Sequence, residues 1–180
     1  WVSEDILLDL ADSQTPQGIV AVVQKEEVGQ ADFSQGKFLF LEDVQDPGNV
    51  GTIIRTADAA GFTGVIVSDK SADIYSLKTL RSMQGSHFHL PIYRMSSQAL
   101  LKETKEAGIP VLATTLSKDS VDYRELVPIE NFVLVMGNEG QGISPLMAES
   151  ADQLVHICMK GQAESLNVAV AAGILIFHLS

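Results

Sequence analysis

Residues 157–174 read Ile-Cys-Met-Lys-Gly-Gln-Ala-Glu-Ser-Leu-Asn-Val-Ala-Val-Ala-Ala-Gly-Ile, which is an apolar strand, then a polar loop, then an uncharged, alanine-rich helix. The loop contains Gly161, and Ser165 and Asn167 stand where the helix begins. Unpaired backbone N–H groups and short polar side chains meet at such a helix N-terminus. The junction is therefore a candidate ligand site, with a capped core helix as the alternative.

The same alternation of strand and helix continues outward along the chain. Short, nearly continuous apolar runs predict strands buried on both faces, as in a parallel sheet, at residues 38–44, 64–68, 109–115, 132–136 and 153–159. Helical patterns cover Val50–Ala60, Tyr75–Ser86, Ser97–Ala107 and Leu166–Leu179, with Gly61 and Gly108 as two of their C-terminal stops. Gly18–Val23 predicts a further strand, and Gln24–Gly36 a loop. The fold class expected is α/β, a mostly parallel sheet with helices on both faces.

Length and composition favour one globular domain. A chain of 180 residues with 46% apolar and 19% charged residues can support one substantial core. No apolar run reaches the roughly 20 residues of a membrane span, so we expect no membrane association. Cys158 is the only cysteine and falls within a predicted strand, which argues against a disulfide framework and for a cytoplasmic setting.

The net charge of −11 disfavours a general nucleic-acid-binding surface. Its distribution is uneven, because residues 55–94 carry five basic and three acidic groups while the rest of the chain is strongly acidic. Residues 55–94 are therefore the one segment whose charge favours contact with a phosphate backbone. Chance fluctuation on a solvated face is the alternative.

Loops that follow parallel strands are where ligands collect in an α/β sheet. In Gln45–Arg55, Pro47-Gly48 makes a turn, Asn49 can cap the next helix, and Arg55 lies about one and a half turns into it. An arginine on an apolar helix start indicates an anionic partner. A salt bridge to Asp58 or Glu42 would satisfy it without any ligand.

A second loop, Gly-Asn-Glu-Gly-Gln-Gly-Ile-Ser at residues 137–144, has three glycines that allow close backbone approach to a ligand. Neither a Walker-type phosphate loop nor a dinucleotide fingerprint matches its spacing. Glu139 is positioned to hydrogen-bond a ligand or to hold the next loop, and a plain glycine-rich turn stays open.

Taken together, three motifs resemble those of SpoU/TrmH-like RNA 2′-O-ribose methyltransferases of the SPOUT superfamily. They are Asn49-x-Gly51-x-x-x-Arg55, the loop at residues 137–144, and Ile157-x-Met159-x-Gly161-x-x-x-Ser165-Leu166-Asn167-Val168. The resemblance covers most of residues 18–180. It implies a deep C-terminal trefoil knot, a rare exception to unthreaded folds. It also implies S-adenosylmethionine as cofactor, a homodimer, and methyl transfer to a ribose 2′-hydroxyl of rRNA or tRNA, with rRNA favoured.

The resemblance also implies roles for individual residues. Polar positions of the catalytic site match Arg55, Asn49, Glu139, Ser165 and Asn167. Cofactor contacts match Ala113, Thr114, Gly137, Asn138, Gly142, Ile157, Met159, Ser165, Leu166 and Asn167. RNA contacts match Arg55 and Arg81, although Arg81 is also placed to pair with Asp73 or another acid. We expect Asn49 and Glu139 to orient Arg55, and Ser165 and Asn167 to shape the cofactor and ribose pocket. The four histidines show no ligand-like cluster, and no metal is expected.

Relatives often carry an N-terminal RNA-binding domain. Residues 1–17 resemble the tail or linker of such a domain, so we expect residues 18–180 to be the catalytic domain. Two rival functions are a catalytically silent RNA-binding module with the same fold and an unrelated nucleotide-binding protein. The first would need a broken cofactor loop, and the second a phosphate loop or nucleophile elbow, none of which the sequence shows.

Overall fold

The computed structural model describes residues 1–11, 15–25, 28–127 and 129–180. Its strands are β1 (Lys37–Leu41), β2 (Gly64–Val67), β3 (Ile92–Arg94), β4 (Val111–Thr114), β5 (Val121–Asp122), β6 (Phe132–Met136) and β7 (Gln153–His156). Its α-helices are α1 (Glu4–Ala11), α2 (Pro47–Ala59), α3 (Leu77–Met83), α4 (Ser97–Ala107), α5 (Pro145–Ser150) and α6 (Val168–Leu179).

All seven strands form one parallel sheet in the order β3-β2-β1-β6-β4-β7-β5. Alternate strand residues point to opposite faces, which gives two separate cores. Leu39, Val65 and Leu134 pack with α2 and α6 on one face, and Phe40, Ile66 and Val135 pack with α4 and α5 on the other. The α/β class with helices on both faces is confirmed. The trefoil knot stays a prediction.

Helix α2 begins at Pro47, three residues before the Val50 start that the sequence pattern indicates. Asp46, not Asn49, is the N-cap, because its side chain accepts a hydrogen bond from the Asn49 backbone N–H, and Pro47 occupies the first turn. The proposal that Asn49 caps this helix is therefore wrong, and its side chain is available for other contacts. Gly61 and Gly108 follow α2 and α4 with φ of +72° and +70°, which confirms both as stops.

Several other expectations fail. Gly18–Val23 is not a strand, and its side chains project into solvent, Val22 fully. Strand β7 ends at His156, so Cys158 lies beyond it and is exposed. The short elements β3, β5 and α5 were not expected. Residues 12–14 of the predicted tail and residues 26–27 of the predicted loop lie outside the described residues.

Candidate active site at the carboxyl edge of the sheet

Four adjacent strands, β1, β6, β4 and β7, send their carboxyl ends to one edge of the sheet. The chain reaches this arrangement by inserting β6 between β1 and β4, and such reversals of strand order open a crevice for ligands. The loops that leave β1, β6 and β7 are the three motif-bearing loops. The fold thus brings to one edge segments that are more than 100 residues apart in sequence.

A cavity of about 610 Å³ opens between these loops, within the size range of small-molecule sites. Among the predicted cofactor contacts, the cavity is lined by Thr114, Gly137, Asn138, Gly142, Ile157, Met159, Ser165 and Leu166. Ala113 is fully buried in the core on the α4 side of the sheet and does not line it. Instead the turn after β4, Thr115–Ser117, forms part of the wall.

The loop after β6 folds tightly upon itself. A Cβ atom on Gly137 would lie 2.3 Å from the Gly142 carbonyl carbon and 2.4 Å from the Ile143 nitrogen, so only glycine fits. The Asn138 and Gly142 backbones exchange two hydrogen bonds of 2.9 Å, and Gly142 has a φ of +71°. These glycines allow the loop to pack closely against itself. The sequence alone does not distinguish this use of glycine from close approach to a ligand.

Asn138 organises the same loop with its side chain. Its Oδ1 accepts from the Gly140 and Gln141 N–H groups, and its Nδ2 donates 2.8 Å to the carbonyl oxygen of Asp43. Asp43 follows β1 and has a φ of +58°, an uncommon conformation for a residue with a side chain. The Asn138 side chain therefore ties the loop after β6 to the backbone of the loop after β1.

A buried carboxylate fixes the far end of this loop. Glu42, at 3% exposure, accepts hydrogen bonds from the Ser144 backbone N–H, the Ser144 hydroxyl and the Ser97 hydroxyl, at 2.7, 2.8 and 2.6 Å. A buried carboxylate needs such donors to offset its lost hydration. Glu42 thus has a structural use. Sequence reasoning considered it only as a partner for Arg55.

Glu139 projects from the loop toward the start of α2. Its two carboxylate oxygens accept hydrogen bonds from the Gln45 and Asp46 backbone N–H groups and from Asn49 Nδ2, at 3.1–3.2 Å. Burial alone would raise the pKa of Glu139, but these hydrogen bonds outweigh it, and the pKa lies below its usual value. Glu139 is therefore ionised at neutral pH.

The third loop joins the same group of side chains through Asn167. Its Oδ1 caps α6 by accepting from the Ala169 and Val170 N–H groups, and its Nδ2 donates 3.1 Å to Asn49 Oδ1. A continuous chain of hydrogen bonds thus runs from Glu139 through Asn49 to Asn167. One residue from each motif contributes to it, beside a cavity that Glu139, Ser165 and Leu166 line.

Arg55 takes no part in these hydrogen bonds and lies on the solvent-exposed side of α2. Its guanidinium makes no hydrogen bond or ion pair with any residue in the described part of the chain. Both alternative partners are otherwise engaged, Glu42 with the two serines and Asp58 with His89. An exposed cation without a protein anion as its partner can receive an anionic ligand. Neither Asn49 nor Glu139 forms a hydrogen bond or ion pair with Arg55 in the described part of the chain.

Arg81 is exposed on α3 and donates a 2.8 Å hydrogen bond to the carbonyl oxygen of Ala11 in α1. Cavity-lining residues that sequence reasoning did not select include Gln141, His156 and Glu164. His156 Nδ1 lies 3.0 Å from the Ser120 hydroxyl. The available signal was their place at the end of β7, for His156, or in the loops that follow β6 and β7. Across the described ranges, no group of three His, Cys, Asp or Glu side chains is arranged to hold a metal ion.

The chain is similar in sequence and structure to known proteins of one family. The model of the SpoU rRNA Methylase family matches residues 36–177, which span all three motif loops. The chain belongs to the SpoU rRNA methylase family. The resemblance found in the motifs is thereby confirmed, and Arg55, Glu139 and Asn167 all lie within the matched region.

Individual relatives agree with this assignment. The chain is 45% identical over 178 residues to the 23S rRNA (guanosine(2553)-2′-O)-methyltransferase RlmP of Bacillus subtilis, covering 99% of this chain and 71% of RlmP. It also matches the crystal structure of an rRNA methyltransferase from Sinorhizobium meliloti, with a TM-score of 0.89 and 35% identity over 98% of this chain and 69% of that one. The AdoMet-bound form of an rRNA methyltransferase from the same organism matches with a TM-score of 0.84.

Proposed function

We propose that this SpoU-family chain transfers the methyl group of S-adenosylmethionine (AdoMet) to a ribose 2′-hydroxyl of rRNA. The observation that carries the proposal is the convergence of Asn49, Glu139 and Asn167 in one hydrogen-bonded chain beside the cavity after β6 and β7. The RlmP and AdoMet-bound relatives support the same reaction.

The cavity suits AdoMet in size and chemistry. Its volume of about 610 Å³ is adequate for a nucleoside with an amino-acid tail, and its wall combines apolar side chains with exposed loop backbone. Thr114, Gly137, Ile157, Met159 and Leu166 would hold the cofactor, which supplies an electrophilic methyl group on sulfur.

Arg55 is the residue for the RNA side of the reaction. Loss of the 2′-hydroxyl proton leaves negative charge on oxygen, and a guanidinium stabilises such charge while also binding the adjacent phosphate. Arg55 itself is a poor base, since guanidinium stays protonated at neutral pH. We assign it to phosphate binding and alkoxide stabilisation, with the 2′-hydroxyl proton leaving by way of the adjacent phosphate.

Asn49, Glu139 and Asn167 act as positioning residues in this scheme. Their hydrogen bonds fix the start of α2, which carries Arg55, against the loop that walls the cofactor cavity. Holding the two reactants in line supplies a large part of the acceleration in such transfers. Ser165 lies on the cavity wall and would contact the ribose or the cofactor.

The substrate class is rRNA rather than tRNA, and a guanosine of 23S rRNA is the first candidate. This rests on the 45% identity to RlmP, which extends over 99% of the chain. We also expect a cytoplasmic location, where rRNA is matured. None of the described helices is long and apolar enough to cross a membrane.

A homodimer completes the proposal. Helix α6 is apolar on nearly all sides, which is typical of a helix that is covered all round. Yet Val170 and Phe177 are 53% and 59% exposed on it. A second copy of the chain covering this face would bury both residues beside the proposed active site.

We further propose that residues 1–17 connect the catalytic domain, residues 18–180, to an RNA-binding domain.

The test is methyl transfer from methyl-tritiated AdoMet to an unmodified 23S rRNA transcript. The proposal predicts incorporation that survives base removal and blocks alkaline cleavage at one ribose. Binding of S-adenosylhomocysteine (AdoHcy) and RNA without incorporation would favour the catalytically silent module. Incorporation into tRNA but not into 23S rRNA would overturn the choice of substrate.

A further inference from the structure

Aromatic side chains form an exposed surface just after α3, separate from the cavity between the motif loops. Gln84 and Gly85 adopt left-handed conformations with φ of +49° and +89°, which turn the chain into a 3₁₀ helix at Ser86–Phe88. The turn leaves the Phe88 ring 71% exposed. The His87 ring lies behind it, with the centroids 4.0 Å apart and the planes tilted by 38°. An exposed phenylalanine stacked on a second ring offers a flat apolar face to solvent.

A cavity of about 620 Å³ adjoins this surface, lined among others by Tyr75, Leu80, His87, Phe88 and Ile92. His87 Nδ1 is buried and has no hydrogen-bond partner in the described part of the molecule. Burial, and to a lesser degree His89, lowers the pKa of His87, so the imidazole is neutral at neutral pH. A neutral ring nitrogen without a partner can donate to or accept from a planar ligand.

The surface around Phe88 adjoins the side of α2 that carries Arg55. Positions 51, 55 and 58 share one side of α2 because they are four and three residues apart. Gly51 packs against α3, where a Cβ atom would come within 2.5 Å of Ser82 Cβ, and Asp58 lies 3.4 Å from His89 Nδ1. Arg55 stands between these two contacts. The rise along the helix from Arg55 to Asp58 is only about 4.5 Å.

Charge agrees with a polyanion at this place. Residues 55–94 hold five basic and three acidic groups in a chain of net charge −11. Of the acids, Asp58 pairs with His89, and Asp73 accepts from the Tyr75 N–H. Lys25 and Arg94 lie on the rim of the adjoining space.

We propose that Phe88, together with the cavity beside it, holds an unpaired base of the RNA that neighbours the target nucleotide. The base stacks on the exposed face of the Phe88 ring, and the adjoining cavity, which His87 also lines, receives the edge of the base. The site rests on the proposed RNA methylation, because it takes a second nucleotide of the same substrate strand. Stacking on an aromatic ring is the general means by which proteins hold single-stranded bases.

Two substitutions separate stacking from other roles of an exposed ring. Phe88→Leu keeps an apolar side chain of moderate size but removes the π-face, whereas Phe88→Trp keeps and enlarges that face. Val127→Ala, at a 77% exposed apolar residue outside this surface, is the control. The measurements are KM for the unmodified 23S rRNA transcript, affinity for AdoHcy by calorimetry, and association state by sedimentation.

The proposal predicts that Phe88→Leu raises KM for RNA by about ten-fold or more. It predicts unchanged AdoHcy affinity and association state for Phe88→Leu. The KM values of Phe88→Trp and Val127→Ala should stay close to that of the parent protein. Equal KM values for Phe88→Leu and the parent would overturn the base site while leaving the methylation of RNA intact. Loss of the dimer in Phe88→Leu would instead show that the ring contacts a second copy. Absence of methylation by the parent protein would refute the proposed function itself.

Discussion

Gly51 provides a sharp test of what the first motif is for. A Cβ atom at this position would lie 2.6 Å from the Thr79 carbonyl oxygen and 3.0 Å from the Met83 nitrogen, so α2 and α3 would have to separate. Alanine gains about 0.5–1 kcal/mol over glycine within a helix, but overpacking costs about 1–3 kcal/mol. Because the clashes involve backbone atoms, no side-chain rotation relieves them, and Gly51→Ala should lose about 1–2 kcal/mol.

Gly173→Ala is the matched control, since the nearest atom to its Cβ would be Thr56 Cγ2 at an ordinary 4.0 Å. That variant should gain about 0.5–1 kcal/mol. For a chain of this length the expected change in Tm is about 2–4 °C per kcal/mol, downward for Gly51→Ala and upward for Gly173→Ala. Thermal unfolding checks both. A Gly51→Ala protein as stable as its parent would refute the steric account of this motif glycine.

Results are also expected for four further variants. Asn167→Ala should cost about 1 kcal/mol through loss of the α6 cap and should also lower turnover. Asn167→Asp keeps the capping oxygen but loses the donor to Asn49, so it should lower turnover alone, and full activity would disprove that hydrogen bond's importance. The depressed pKa of Glu139 means that its stabilising effect is present above its usual value near 4.5 and is lost as the pH falls through the lower folded value. As the pH falls, Tm should therefore decrease less for Glu139→Gln than for the parent protein. Parallel curves of Tm against pH for the two proteins would contradict this. Phe177→Glu should convert the dimer to a monomer in sedimentation, and an unchanged mass would exclude α6 as the interface.

The sheet was largely predictable because its central strands are apolar runs of four or five residues that pack on both faces. Strands β3 and β5 contain only three and two residues, too few for a recognisable pattern. Gly18–Val23 shows the opposite error. Its residues have high strand propensity, but no neighbouring strand pairs with them, and propensity alone does not form a sheet.

The site was predictable in position but not in its hydrogen bonds. The family resemblance implied one site for Arg55, Asn49, Glu139, Ser165 and Asn167, and hydrogen bonds join three of them, Asn49, Glu139 and Asn167. The sequence did not show that Asp46 would take the capping role, because Asn and Asp cap equally well. Nor did it show that Arg55 would stand exposed, since that depends on which side of α2 faces α3.

Mapping of ribose 2′-O-methylation at single-nucleotide resolution tests the central claim most directly. Unmodified 23S rRNA is treated with AdoMet and either the parent protein or Arg55→Ala, after calorimetry has shown that both bind AdoHcy. We predict one newly methylated guanosine ribose with the parent protein and a severe loss of methylation with Arg55→Ala at unchanged AdoHcy affinity. Methylation of a base, or equal ribose methylation by the two proteins, would contradict the assignment of this site.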